Sequence, residues 1–297
     1  MERVKKIDVH VHASESKWLM YPNIPMATPE EVIEIYDSIG VERGVIMSLT
    51  NTMVGTSNYE AKLMADKYPD RFFWFCSFCP MQGSNSKDAD FMPYLQQCKD
   101  NGAKGVGEFT SNIPFDDERT LNFLSQVEKI GLPLLFHIGS LGGDYGIVDE
   151  LGLYKLEKVL KAFPNLKFIG HSTKFWSEIS KISSEKERGA YGNGKVEEGR
   201  VIELMRKYPN LYADLSAGSG YNALIRDVDY AYKFLEEFSD RLLYGTDIVS
   251  PINRNNPMLK LAEFLDTAME NSKISYDTYY KVCRGNAIKL LGLDLDK

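Results

Sequence analysis

The chain has 297 residues and carries 35 Lys+Arg against 42 Asp+Glu, a formal net charge of −7. With 43% hydrophobic and 26% charged residues it has the composition of a globular protein, not of a disordered one. The acidic balance excludes a general nucleic-acid or anionic-membrane binder, and no apolar run of about 18 residues is present to span a bilayer.

In chain order, short apolar runs alternate with longer amphipathic stretches. The runs are 7–13, 44–49, 72–79, 104–109, 132–139, 167–172, 211–216 and 242–247, rich in β-branched and aromatic residues as buried strands are. Between the first two, Thr28-Pro29-Glu30-Glu31 reads as a capped helix start that Gly40 ends. Further helices are expected over 57–68, 90–100, from Asp116 or Asp117 to Gly131, and over 149–163, 197–208, 221–238, 257–271 and 276–291. Residues near the ends of successive runs (His12, Leu49, Cys79, Glu108, His137, His171, Leu215 and Asp247) stand 29 to 44 residues apart, room each time for a strand, a helix and two loops. Eight such units predict a single-domain (β/α)8 TIM barrel over 1–297; an open doubly wound sheet lacks a GxGxxG after its first strand. The longest interval holds an insertion after strand 6, roughly 173–197, read equally as a lid or a solvated loop.

The N-terminal MERVKKIDVHVHA lacks an export signal's apolar stretch, so the expectation is a cytoplasmic protein with reduced thiols. Cys76 and Cys79 form a CxxC, but no second pair completes four thiolates, and both read as core residues. All four histidines, His10, His12, His137 and His171, fall at ends of strands 1, 5 and 6, with Glu108 and Asp247 at the ends of strands 4 and 8. A barrel gathers these six around one mouth. On a strand, residues i and i+2 share a face, so His10 and His12 both reach inward to one divalent ion. Four imidazoles beside carboxylates need partners for every nitrogen, and a metal supplies them.

On these residues the chain resembles the amidohydrolase superfamily, and more closely its amidohydrolase-2 branch. The matching elements are Asp8-Val9-His10-Val11-His12, His137, Gly170-His171, Gly245-Thr246-Asp247 and a closing RGNAIKLLGL at 284–293. The resemblance implies a distorted barrel holding one or two divalent metals; imidazole-rich donors with carboxylates suit zinc first, with manganese or iron as alternatives. It implies His10, His12, His137 and Asp247 as ligands of a single ion. In a binuclear site Glu108 bridges, with His137 and His171 on the second ion. Strand 4 lacks the lysine that carries a bridging carbamate in urease-like relatives; Glu108 stands there instead.

The expected activity is hydrolysis of a small molecule by metal-activated water, with Asp247 as proton acceptor and His171 as second-metal ligand or acid/base. The alternative is non-oxidative decarboxylation of an aromatic or enol acid, with His171 or Asp247 protonating carbon. A non-catalytic ligand-binding barrel is the third reading. Trp18 and Tyr21 after strand 1, Lys174 after strand 6 and Arg254 after strand 8 are the substrate-binding candidates, each weighed against simple loop packing or a surface position. Asp214 and Ser216 either face the mouth or brace the barrel, and Arg284 is expected to be structural. A homodimer is expected on frequency alone.

Overall fold

In the computed structural model, residues 2–49, 55–82, 86–143 and 145–295 are described. Each expected run contains a strand: β1 Lys6–Val11, β2 Val41–Met47, β3 Phe72–Phe75, β4 Val106–Phe109, β5 Leu134–Gly139, β6 Phe168–His171, β7 Leu211–Asp214 and β8 Leu242–Leu243. All neighbouring pairings among them are parallel, in two sheets ordered β1-β2-β3 and β8-β7-β6-β5-β4. Backbone bonds join the sheets on both sides. Cys76 N donates to Gly105 O (3.0 Å) and Gly107 N to Cys76 O (2.8 Å) between β3 and β4, while Val9 N donates to Tyr244 O (3.0 Å) and Asp247 N to His10 O (2.8 Å) between β8 and β1. The chain is a TIM barrel.

The helix over Pro29–Ile39 forms as its sequence dictates. Thr28 Oγ1 accepts from Glu31 N, Glu31 Oε2 accepts from Thr28 N, and Gly40 closes the helix at φ +74°. The expected helix over 221–238 is two, Ala217–Ile225 and Val228–Glu237, because Asp227 caps a fresh start by accepting from Tyr230 N. The expected helix at 149–163 begins only at Tyr154, since the Asp149 carboxylate is spent on the amides of Glu150, Lys155 and Leu156. A small antiparallel hairpin, Leu19–Tyr21 with Ile24–Pro25, follows β1, and Ile147–Val148 pairs with β5. The insertion after β6 is folded: short helices at Thr173–Ser177 and Glu185–Arg188 are pinned by a buried arginine, Arg188, which lies 2.7 Å from Glu178 and donates to Asp149 O.

The barrel interior is filled by Ile7, Val9, Val45, Met47, Phe75, Leu135, Ile169 and Leu243. Ala287, Leu291 and Leu293 of the terminal segment seal its lower end. Burying each large side chain is worth about 1.5–3 kcal/mol, so this layer is a rigid floor for whatever stands above it. Arg284 fastens the terminal segment by donating to Lys5 O and pairing with Glu42. No helix of the described residues is long and apolar enough to cross a membrane.

Candidate metal centre

The floor residues and the polar residues above them do not share a simple alternation. Ile7 and Val9 face inward, yet so do His10 and His12. The register explains it: Asp8 pairs with Gly44 and Val11 with Ile46, three residues on β1 against two on β2. This bulge re-aims the strand end. β4 repeats the device, with Val106 opposite Leu134 and Phe109 opposite Phe136, and turns Glu108 inward. On β5 and β6 the alternation is unbroken, so His137 and His171 stand directly above Leu135 and Ile169.

Six residues from five strands therefore meet at the C-terminal mouth, as the sequence reading expects. His10 Nε2 lies 3.1 Å from His12 Nε2 and 3.5 Å from Asp247 Oδ1; His12 Nε2 lies 3.4 Å from Asp247 Oδ1 and 3.5 Å from Glu108 Oε2. Neighbouring ligands of an ion with bonds of about 2.0–2.2 Å are separated by about 3–3.5 Å, so this donor set has a cation's spacing. Glu108 Oε1 turns the other way, 2.7 Å from His137 Nδ1. Glu108, His137 and His171 form a second donor group, and His10, His12 and Asp247 a first. No cysteine belongs to a donor group of the described residues, and Cys76 and Cys79 are buried thiols.

The donor set fits a cation. Glu108 Oε2 and His12 Nδ1 are buried without a hydrogen-bond partner. His10 Nδ1 donates to Asp214 Oδ2 (2.8 Å), which turns Nε2 toward His12 Nε2 (3.1 Å). Burial opposes a charge on His10, yet Asp247, Asp214 and Glu108 outweigh it and raise its pKa to about 10. Against the pull of burial, Glu108, Asp214 and Asp247 all stay below the usual carboxylate range because the histidines surround them. Three ionised carboxylates thus hold positive charge in their midst.

Asp214 is the residue that sequence reasoning left undecided. Its Oδ2 accepts from His10 Nδ1, from Ser216 Oγ (2.6 Å) and, 3.0 Å away, faces His171 Nδ1; its Oδ1 accepts from Ser216 N (2.9 Å). One carboxylate thereby sets the orientation of two candidate ligands. Asp8 performs a related task in the frame, accepting from Tyr36 Oη, Thr246 N and His10 N and so tying β1 to the loop of Asp247. Burial pushes its carboxyl up to about 7 despite those donors.

The remaining candidates divide. Tyr21 is near enough for Asp247 and Glu108 to act on its phenol, whereas Trp18 is 59% exposed on the same hairpin approach. Lys174 Nζ donates to Ser140 Oγ (2.6 Å) on the rim after β5. Arg254 leaves the mouth: the 3-10 turn Pro251–Asn255 carries it toward the N-terminal end of β1, where it pairs with Glu34 (2.7 Å) and borders a groove with Lys5, Lys6 and Gly40. Tyr145, absent from the sequence reading, packs on His137 with ring centroids 4.5 Å apart. Its only signal is an aromatic residue in the glycine-rich loop that follows a candidate-ligand strand.

The likeness to solved structures reaches the whole barrel. An uncharacterised TIM-barrel protein of Bordetella bronchiseptica superposes with a TM-score of 0.69 at 21% identity, covering 97% of this chain and 99% of that one. A probable 2-pyrone-4,6-dicarboxylic acid hydrolase of Acinetobacter baumannii gives 0.62 at 16%, covering 98% and 100%. A manganese-bound dihydroxybenzoic acid decarboxylase of Polaromonas gives 0.58 at 18%, covering 98% of each chain. These likenesses show the fold. Among curated proteins none matches the chain. The amidohydrolase family model Amidohydro_2 matches residues 7–293, from the first barrel strand to the sealing segment. With a donor set suited to a divalent cation at the expected strand ends, the chain belongs to the Amidohydro_2 family of metal-dependent amidohydrolases.

Proposed function

We propose that the protein is a metal-dependent hydrolase of a small carbonyl-containing substrate. The observation that carries this reading is the divided carboxylate of Glu108, with Oε2 beside the His10, His12 and Asp247 donors and Oε1 beside His137. His10, His12 and Asp247 would hold one divalent ion and His137 and His171 a second, with Glu108 placed between the two donor groups. A divalent cation supplies acidification of water and polarisation of a carbonyl oxygen. The chain's own residues do the rest. Asp247 has Oδ1 among the donors and leaves Oδ2 to take the proton of the attacking water. Its side chain, 24% exposed, and that of His137, 18% exposed, are the open side through which substrate enters. Asp214 keeps His10 and His171 from turning. Zinc and manganese both suit imidazole–carboxylate donors.

The phenols of Tyr21 and Tyr145 beside the centre favour, as the second reading, decarboxylation of an aromatic acid, for which His171 or Asp247 would return a proton to carbon. One experiment separates the two. Metal-reconstituted protein is incubated in 18O-water with a panel of aromatic esters, lactones, amides and hydroxybenzoates. Label in the product acid, lost in His12→Ala and Asp247→Ala, is the expected result. Carbon dioxide release without label overturns hydrolysis in favour of the lyase.

A further inference from the structure

This inference deepens the reading just given and rests on it. Three tyrosines stand on three separate loops, Tyr21 after β1, Tyr145 after β5 and Tyr191 in the insertion after β6, and Tyr145 packs on the candidate ligand His137. The Asp247 carboxylate acts on all three phenols. Tyr21 and Tyr191 are about half exposed, and Tyr145 is more enclosed.

Tyr145 is held in place by its loop. The Asn112 amide donates to Ser140 O (3.0 Å) and to Gly146 O (3.1 Å), and its oxygen accepts from Gly142 N (3.0 Å). Gly146 N donates to Thr110 O (3.1 Å), and Lys174 Nζ donates to Ser140 Oγ. Gly146 adopts φ +123°, and a Cβ there would come 2.6 Å from Gly139 N, so the turn that presents Tyr145 accepts glycine alone. The ring lies at 33° to His137, over the most open imidazole of the cluster. Its hydroxyl makes no hydrogen bond within the described residues. A phenol is a good donor at neutral pH, and a fixed donor beside the candidate centre with no acceptor among the described residues is suited to an acceptor that arrives with the substrate.

We propose that Tyr145 is a substrate-contacting specificity residue, its hydroxyl donating to the reacting oxygen of a planar carbonyl compound that lies against the Tyr145 ring, with Tyr21 and Tyr191 as the flanking walls. The carbonyl oxygen, as it gains charge, strengthens that bond. The three aromatic faces select an aromatic or conjugated acyl group over an aliphatic one.

The test is calorimetric binding of benzohydroxamate and acetohydroxamate, planar carbonyl chelators, to manganese-loaded protein. Wild type is expected to bind benzohydroxamate at least about tenfold more tightly than acetohydroxamate. Tyr145→Phe is expected to lose about tenfold for both probes, one good hydrogen bond, at unchanged metal content and melting temperature. Tyr145→Ala also loses the preference for the aromatic probe. Binding by Tyr145→Phe within twofold of wild type overturns the inference and leaves the hydrolase reading standing. Probe binding that survives in His12→Ala, or no binding by metal-loaded wild type, overturns the metal-centre reading and this inference with it.

Discussion

Asp214 touches no expected substrate, yet its replacement should disable metal binding. Its carboxylate receives the Nδ1 sides of His10 at 2.8 Å and His171 at 3.0 Å on one oxygen, with Ser216 filling the remaining acceptor positions. Asn at this site has nearly the same shape but only one accepting oxygen, and its NH2 group needs an acceptor. If the NH2 group faces an imidazole, that ring must accept at Nδ1 and carry its proton on Nε2, the atom that faces the donor cluster. A protonated Nε2 is no ligand. Loss of such an outer partner typically lowers metal affinity about 10- to 100-fold, or about 1.4–2.7 kcal/mol. Competition against a chelating dye measures the change for zinc and for manganese. Ser216→Ala removes a donor to Asp214 and leaves both imidazole contacts, so it should shift affinity less than about threefold. An affinity for Asp214→Asn within twofold of wild type would refute the claim that this carboxylate sets the two rings.

Other outcomes follow from the same geometry. Chelation of metal-loaded protein should lower the melting temperature by about 4 °C, because a ligand at 100 times its Kd stabilises by about 2.7 kcal/mol; differential scanning calorimetry with and without chelator decides it. Gly245→Ala would place a Cβ 2.4 Å from Asp214 Oδ1 and 2.8 Å from Ser216 Cβ, so dye competition should show a metal-affinity loss at least as large as that of Asp214→Asn. Gly170→Ala meets the buried Phe175 ring at 2.4 Å and should cost about 1–3 kcal/mol by urea unfolding, with its metal affinity less affected than that of Gly245→Ala.

The barrel was legible because its strands are buried on both faces and therefore read as apolar runs, and because the histidines lie nowhere but at three strand ends. The bulges in β1 and β4 were not legible. A one-residue slip changes neither composition nor spacing, yet it decides which way Glu108 points. His10 and His12 were placed correctly as a pair because i and i+2 stay together whichever way the strand turns. Asp214 escaped for a different reason. An aspartate at a strand end is equally suited to a frame contact and to a site, and only the coordinates of His10 and His171 distinguish the two. Arg254 shows the reverse failure: seven residues after Asp247 suggests the mouth, but the 3-10 turn carries it away to Glu34.

What the sequence could least foretell is where the chain is strained. Ser172, Ala217 and Asp247, which follow β6, β7 and β8, all hold positive φ, at +109°, +62° and +59°. Side-chain-bearing residues in such conformations cost about 1–3 kcal/mol each and persist only where the surroundings hold them. The holding contacts are specific. Asp247 N donates to His10 O, Ala217 N donates to Thr246 O (3.3 Å), and Ser172 Oγ accepts from Ile138 N and Phe175 N (both 3.2 Å). The bonds to His10 O, Thr246 O and Ile138 N tie the strained turns either to a candidate ligand or to the chain beside one. Asp247 could relax toward an ordinary conformation only by giving up its amide bond to β1, and its carboxylate would then leave the two imidazoles. The strain and the donor geometry are therefore the same feature, maintained by the filled floor of the barrel below.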